Sequence, residues 1–127
     1  MKDLETKILK HLKDRAWDNL RPSDMAKSIM IEGAELLEIF QWENLPLEEI
    51  KKNKEKMVEI KKELADVLIC ALQLSVSLKL NTKKIILDKL ALTAKKYPAK
   101  LMRGRKGEPG TESEYWRIKK EYRAKNL

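Results

Sequence analysis

The sequence of 127 residues contains few of the residues that cross-link a chain or interrupt helices: one cysteine, one histidine, four glycines and four prolines. A single cysteine, Cys70, cannot form a disulfide within the chain, which fits a reducing cytoplasm. Hydrophobic residues make up 43% and charged residues 38%, a balance typical of a helical globular protein with a charged exterior. The composition therefore excludes disordered and disulfide-rich proteins.

Long apolar runs are also missing. No stretch approaches the roughly 20 apolar residues that cross a membrane, and segment 1–17 has charges spaced throughout, unlike a secretory signal. We therefore expect a soluble cytoplasmic protein without a membrane partner. The absence of Cys/His clusters argues against zinc, and the sole histidine, His11, is expected on the surface of a charged helix.

No segment shows the alternation of a strand, whereas apolar residues recur at helical spacing. The fold class is therefore predicted to be all-α. Pro22 suits the start of a second helix, with Ser23 or Asp24 as its cap. The predicted helices cover about 2–16, 22–42, 47–53, 54–80, a segment from after Thr82 to before Pro98, and about 112–125.

The last part of the chain is basic. Residues 99–127 hold nine Lys/Arg against four Glu, out of a formal net charge of +8 for the whole chain. Three glycines and a proline predict a loop at 104–110, and Thr111 with Glu114 has the spacing of a capping box. We predict one domain, with a helical core over 1–98 and the basic loop and C-terminal helix over 99–127. The charge fits nucleic acid, an acidic partner or the phosphates of a nucleotide, and a solvated surface accounts for it equally well.

Two pairs of carboxylates lie three residues apart, Glu32 with Glu35 on the second helix and Glu63 with Asp66 on the long one. On a helix this spacing places both side chains of a pair on one face, about 5–6 Å apart. Such a pair can share a cation. Ordinary surface acid is the commoner explanation for one pair in a chain with 20 acidic residues.

The surroundings of Asp66 favour a site. Between Leu64 and Leu74 only Asp66 and Gln73 are strongly polar, so we expect this stretch to be mostly buried. A buried carboxylate without a partner either becomes neutral or binds a cation. Projected at about 100° per residue, the polar residues of this helix share one strip: Glu59, Glu63, Asp66, Cys70, Gln73 and Ser77.

The ligand type favours a hard cation. If the two helices pack antiparallel, four carboxylates face one space, and ligands with only oxygen donors select Mg²⁺ or Mn²⁺. Magnesium held by carboxylates usually completes its shell with water and substrate phosphates, which predicts hydrolysis at a phosphate. A buried salt-bridge cluster neutralised by Lys61, Lys62 or Arg15 is the alternative.

The two carboxylate pairs resemble the ExxE…ExxD signature of the all-α nucleoside triphosphate pyrophosphatase superfamily, in its MazG-like and dCTP pyrophosphatase branch. They occur in the same order, as Glu32-Gly-Ala-Glu35 and then Glu63-Leu-Ala-Asp66. Three flanking blocks are similar to the same branch at similar spacing: Arg15-Ala-Trp17, the segment from Glu35 to Trp42, and Lys96-Tyr97-Pro98 followed by Arg103-Gly104.

This resemblance implies a four-helix-type bundle that forms a homodimer or homotetramer. It also implies Mg²⁺-dependent hydrolysis of a nucleoside triphosphate to the monophosphate and pyrophosphate. The expected role is house-cleaning of the nucleotide pool. The implied metal ligands are Glu32, Glu35, Glu63 and Asp66. The candidates for the general base are Glu35 and Glu38, which lie closest in sequence to the candidate metal ligands. The implied substrate-binding residues are Trp17 and Trp42 at the base, with Lys96, Arg103 and Arg21 as basic positions.

Four departures leave the base and sugar preference open. Ile8 stands where vertebrate-type members carry a histidine, Cys70 where they carry a tyrosine, and Thr93 where an asparagine is frequent. Arg21 likewise stands where a histidine is common. The alternative function is a non-catalytic helical module that binds nucleic acid through the basic C-terminal segment. It leaves Asp66 unexplained, so nucleic acid is not the expected partner.

Overall fold

The computed structural model describes residues 1–103 and 114–126, and the helices found there confirm the all-α class. No strand occurs within these ranges. The predicted loop at 104–110 and the predicted cap at Thr111 lie outside the described residues. The helices are α1 Lys2–Asp14, α2 Pro22–Glu38, α3 Leu47–Lys52, α4 Lys54–Ser77, α5 Thr82–Lys96, α6 Ala99–Met102 and α7 Glu114–Ala124.

The chain divides into two compact units, Met1–Thr82 and Lys83–Leu127, which we call unit 1 and unit 2. In unit 1 the long helix α4 is the common neighbour, because it packs most extensively against α2 and also contacts α1 and α3. The first turn of α4 is capped by Asn53, whose Oδ1 accepts a hydrogen bond from the backbone N–H of Lys56 at 3.1 Å. In the described ranges, no helix is long and apolar enough to cross a membrane.

The start and end of α2 differ from the prediction. Arg21 occupies the N-cap position with an extended backbone, and no side chain caps the helix. The predicted cap at Ser23 or Asp24 is therefore wrong, because Pro22 is itself the first helical residue, where its fixed φ is favourable. At the other end, the backbone N–H groups of residues 39 and 40 bond three residues back. This tighter turn ends α2 at Glu38 and leaves Trp42 in the connection.

Two helices of unit 1 end with a left-handed residue that is not glycine. After α1, Ala16 has φ 57°, and the N–H of Trp17 donates to the carbonyl oxygen of Leu12 at 2.8 Å. After α4, Lys79 has φ 56° in the equivalent position. This is the Schellman arrangement, which satisfies carbonyl groups left over at a helix end. It fixes where Trp17 leaves α1, and it ends α4 at Ser77, earlier than predicted.

Burial of the apolar half of α4 was predicted, and for a single chain that prediction is wrong. Leu64, Leu68 and Ile69 are all exposed, although they lie in the stretch where only two residues are strongly polar. On α2, Met30 is 72% exposed. The physical reason is that the neighbouring helices cover only part of the circumference of α4. Both helices therefore carry apolar faces that no other part of unit 1 buries.

The packing of α1 against α4 can be tested at Leu12, which is 1% exposed and is the one fully buried large side chain among the described residues. We expect Leu12→Ala to lower the free energy of unfolding by about 2–5 kcal/mol, because a buried leucine loses contacts and leaves a cavity. The matched control is Leu4→Ala in the same helix, where the leucine is exposed. Chemical denaturation measures both. Equal losses would contradict the packing described for α1.

Candidate metal centre

The packing of α2 against α4 brings three carboxylates together. One oxygen each from Glu32, Glu63 and Asp66 lies within 4.8 Å of the others, and all three side chains are half-buried. No other described group of three or more acidic, histidine or cysteine residues approaches this arrangement. Helical spacing places Glu63 and Asp66 on one face of α4, and helix packing brings Glu32 of α2 to that face.

Two of the carboxylate oxygens are buried without a hydrogen-bond partner, Glu32 Oε2 and Glu63 Oε2. A buried acceptor that has lost its water and found no donor destabilises the fold. No ion pair within the described residues neutralises the cluster, and the Arg15 guanidinium instead donates to the carbonyl oxygen of His11. Because no described cation forms an ion pair with these carboxylates, the arrangement fits a bound metal ion better than a buried salt-bridge cluster.

Two carboxyl groups in this crowded cluster have a raised pKa. A side-chain hydrogen bond with Glu35 is the main influence that raises the pKa of Glu32, and burial and the neighbouring carboxylates act in the same direction. Burial is the main influence that raises the pKa of Glu63; the charge of Glu35 adds to it, and the charge of Lys62 opposes it. Both carboxyl groups therefore resist ionisation unless a cation lies nearby.

Cys70 lies one turn after Asp66 on α4 and is half-buried. Burial raises the pKa of its thiol, and the charges of Glu32 and Asp66 raise it further. The thiol is therefore held in its neutral form beside the carboxylates. It fills the position as a small apolar group, as the sequence predicted for it.

A cleft of about 580 Å³ opens beside the carboxylates. This volume lies within the range of pockets that hold small-molecule ligands. Glu35 connects the two features, because its side chain bonds to Glu32 and also lines the cleft. The lining residues are Glu35, Glu38, Ile39, Glu59, Lys62 and Glu63.

Two of the charged lining residues were not among the predicted site residues. Glu59 lies on the polar strip of α4, one turn before Glu63. Its position on that strip could have identified it from the sequence as a site residue. Lys62 had been considered only as a neutralising partner, yet it is the cation among the described residues that line the cleft. Glu38, predicted as a catalytic candidate, lines the same cleft from α2.

The two tryptophans predicted to contact the base occupy connections of unit 1. Trp17 lies edge-on to His11, with ring centroids 6.1 Å apart. Trp42 is 87% exposed, and its connection is tied to α4 by an ion pair of 2.7 Å between Glu43 Oε2 and Lys56 Nζ. Neither ring lines the cleft, so base contact stays a prediction.

The three basic candidates are divided between the units. Arg21 is exposed at the start of α2 in unit 1. In unit 2, Lys96 is the last residue of α5, with its Nζ 4.9 Å from the ring centroid of Tyr122, and Arg103 is exposed after α6. Their contact with phosphates stays a prediction.

A helical glycine separates the members of the first carboxylate pair. A Cβ atom built on Gly33 would meet no heavy atom within 4 Å. The space beside this turn of α2 is therefore open in the single chain, and a larger residue would meet nothing there.

Comparisons with known proteins agree with this geometry. The model of the MazG-like family matches residues 27–108, a segment that contains both carboxylate pairs. The chain is also similar to a pyrophosphatase of Archaeoglobus fulgidus, whose crystal structure gives a TM-score of 0.68 at 35% sequence identity over 77% of this chain and 92% of that one. The comparison with curated proteins gives no match. Because the family match extends over more than half of the sequence, the chain belongs to the MazG-like family.

Proposed function

We propose that the protein is a Mg²⁺-dependent nucleoside triphosphate pyrophosphohydrolase, which cleaves the bond between the α- and β-phosphates to release a nucleoside monophosphate and pyrophosphate. The observation that carries this proposal is the convergence of three carboxylate oxygens, two of whose side chains hold a buried oxygen without a partner. The similarity to the Archaeoglobus pyrophosphatase supports the same type of reaction. We expect it to act in the cytoplasm on the nucleotide pool.

The donor set fits magnesium, with manganese as the substitute. Glu32, Glu63 and Asp66 would hold the ion, and Glu35 lies close enough to Glu32 to complete the set. All four offer only oxygen, the donor that both cations prefer. When bound, the cation supplies positive charge that stabilises phosphate oxygens and lowers the pKa of water. The unpartnered oxygens of Glu32 and Glu63 would then have a partner.

The remaining steps fall to residues of the chain itself. Proton removal from the attacking water requires a base within hydrogen-bond reach of it. Glu35 and Glu38 both line the cleft and are the two candidates for this role. Lys62, which also lines the cleft, would reduce the repulsion between its carboxylates and a phosphate group.

Recognition of the nucleotide rests on residues outside the cleft lining. Trp17 and Trp42 present partly or fully exposed rings, which suits stacking on a base, since every base has a π face. Arg21, Lys96 and Arg103 would contact phosphates. These five assignments rest on the match between their positions and the family pattern.

Asp66→Asn tests the metal site. The substitution keeps the size of the side chain and removes its charge, so we expect at least about a 100-fold loss of kcat/KM, comparable with or larger than losses at groups that support metal ligands. The measurement is Mg²⁺-dependent product release from a panel of ribo- and deoxynucleoside triphosphates. The assay must separate pyrophosphate from orthophosphate.

The matched control for that experiment is Asp14→Asn, at an exposed residue of α1 that pairs with Lys10. It should leave turnover unchanged. Full activity of Asp66→Asn would contradict the metal assignment. Release of orthophosphate alone would contradict the proposed bond cleavage while leaving a metal site in place.

Glu32→Gln should stabilise the metal-free protein. Because the folded-state pKa of Glu32 is raised, the native state holds the proton more tightly than the unfolded chain. Its contribution to stability is therefore present at acid pH and is lost as the pH rises past the ordinary glutamate value of about 4.3. In EDTA at pH 7 we expect a higher Tm than that of the wild type, together with a smaller increase in Tm on adding Mg²⁺.

Glu49→Gln in the exposed part of α3 is the control, with a Tm expected to stay close to that of the wild type in both conditions. If Glu32→Gln lowers the Tm in EDTA, Glu32 makes a favourable interaction in the native state. That result would contradict the electrostatic description of the cluster.

We also propose that the exposed apolar faces of α2 and α4 are covered by a second copy of the chain. Met30 and Leu37 on α2, and Leu64 and Leu68 on α4, are exposed at the helix pair that carries the carboxylates. Exposed apolar side chains that recur on one side of a helix suit an interface, and an isologous dimer covers both partners with the same patch. The resemblance to the superfamily implies a dimer or tetramer.

A charge on this face should separate the copies. We expect Leu68→Glu to give a monomer by size-exclusion chromatography with light scattering, because a carboxylate would be buried without a partner at the interface. The control is Leu4→Glu on α1. A wild-type protein that is monomeric at about 100 µM, well above the Kd of a stable dimer, would contradict this proposal without affecting the metal site.

A further inference from the structure

The excess positive charge of the chain belongs to unit 2. Within residues 1–82, 14 Lys/Arg face 15 Asp/Glu, so that unit 1 is close to neutral. The described residues of unit 2 hold 12 Lys/Arg against three Asp/Glu. Such an imbalance on a small unit creates a potential that attracts polyanions.

One side of α7 packs inside unit 2. Tyr115, Ile118 and Tyr122 recur at helical spacing, and Ile118 is buried. The ring of Tyr115 stacks on Tyr97 with centroids 5.0 Å apart and an interplanar angle of 24°, while Tyr122 lies against the ammonium group of Lys96. The apolar side of α7 is therefore already in use within unit 2.

The other side of α7 combines an aromatic plane with cations. Trp116 is 50% exposed. Tyr115 lies at the border of the two sides and is 42% exposed, although one face of its ring stacks on Tyr97. The Nζ of Lys119 lies 5.1 Å from the ring centroid of Trp116 and 5.4 Å from that of Tyr115. Arg123 follows on the same side, seven residues after Trp116. A positive charge is thus held beside two exposed rings.

We propose that this surface of α7, formed by Tyr115, Trp116, Lys119 and Arg123, binds single-stranded nucleic acid. Proteins bind single strands by stacking unpaired bases on aromatic side chains while cations follow the phosphates. The surface provides both kinds of group within two helical turns. The charge of the sequence alone did not single out a nucleic acid; the exposed rings beside the lysine supply the reason.

Other polyanions fit this surface less well. An amphipathic helix binds a lipid surface with its apolar side. Here Ile118 on that side is buried, and Tyr122 lies against Lys96 of unit 2. A nucleic acid duplex keeps its bases stacked inside and offers the rings no free π face. The surface also lies beyond residue 108, where the match to the MazG-like family ends, so the family match does not account for it.

The experiment measures fluorescence anisotropy of labelled oligonucleotides with the full chain. The probes are dT12 and U12 single strands and a DNA duplex of the same length, in metal-free buffer from 50 to 200 mM salt. We expect one or both single strands to bind, with a slope of log affinity against log salt of about −2 to −3 for three or four phosphate contacts. The two probes separate DNA from RNA. The duplex should bind at least about fivefold more weakly, since it lacks the stacking contribution.

Variants separate stacking from charge. Trp116→Ala should weaken single-strand binding at least about fivefold with an unchanged salt slope, whereas Trp116→Phe should retain most of the affinity. The double variant Lys119→Gln/Arg123→Gln should make the slope shallower by about 1.4, or about 0.7 for each contact. Circular dichroism and the Tm of each variant establish that it is folded.

Trp42→Ala is the matched control, since Trp42 is the most exposed tryptophan and belongs to unit 1. It should leave oligonucleotide binding unchanged. Pyrophosphate release provides the reciprocal test, because Trp116→Ala should leave it unchanged and Trp42→Ala should reduce it. Failure of the catalytic proposal and failure of this one therefore give different results.

Several outcomes would overturn the proposal. One is the absence of binding to either single strand at about 100 µM protein in 50 mM salt, because that corresponds to an affinity weaker than ordinary non-specific binding. The others are equal binding by the wild type and Trp116→Ala, and equal binding of the duplex and the single strands. Displacement of the oligonucleotide by a nucleoside triphosphate at millimolar concentration would assign the surface to the substrate instead. Tighter binding to phosphatidylserine vesicles than to either strand would assign it to a membrane.

Discussion

Repulsion between carboxylates held on two packed helices is the constraint on which the rest of unit 1 depends. The packing of α2 against α4 prevents Glu32 from moving away from Glu63 and Asp66, so their charges must be accommodated where they are. Protonation and cation binding are the two ways to do so. Because a cation that binds only the folded state stabilises it, metal binding at this cluster would be coupled to folding. The same groups that would hold the metal make its absence unfavourable.

The ends of the helices in unit 1 determine the course of the connections between them. The left-handed residue after α1 fixes the course of the backbone into Trp17, and the early end of α2 puts Trp42 in a connection held by the ion pair between Glu43 and Lys56. Backbone hydrogen bonds at helix ends are local and strong determinants of direction. Helix packing thus determines the position of the carboxylates, whereas helix ends determine the position of the rings. The two parts of the candidate site depend on different interactions.

The carboxylate pairs could be predicted from the sequence because helical periodicity is local: residues three apart share a face wherever the helix lies. The convergence of Glu32 with Asp66 also followed, once two helices with polar strips were expected to pack. Exposure of Leu68 could not be predicted, since an apolar sequence does not say whether its own chain or another copy covers it. The roles of Glu59 and Lys62 in the cleft depend on which residues of α2 face them, and that is tertiary information.

Two residues, Gly33 and Ala16, are less favourable for stability than other residues would be at the same positions. Gly33 occupies a helix interior with open space where a methyl group would go, and Ala16 occupies a left-handed position that suits glycine. Each choice is unfavourable by roughly 1 kcal/mol relative to the other residue. An exchange of the two residue types would therefore leave the composition of the chain unchanged and yet raise its thermal tolerance. The protein is thus not at its stability optimum, and the residue at which it could be stabilised, Gly33, lies on the same helical turn as the first carboxylate pair.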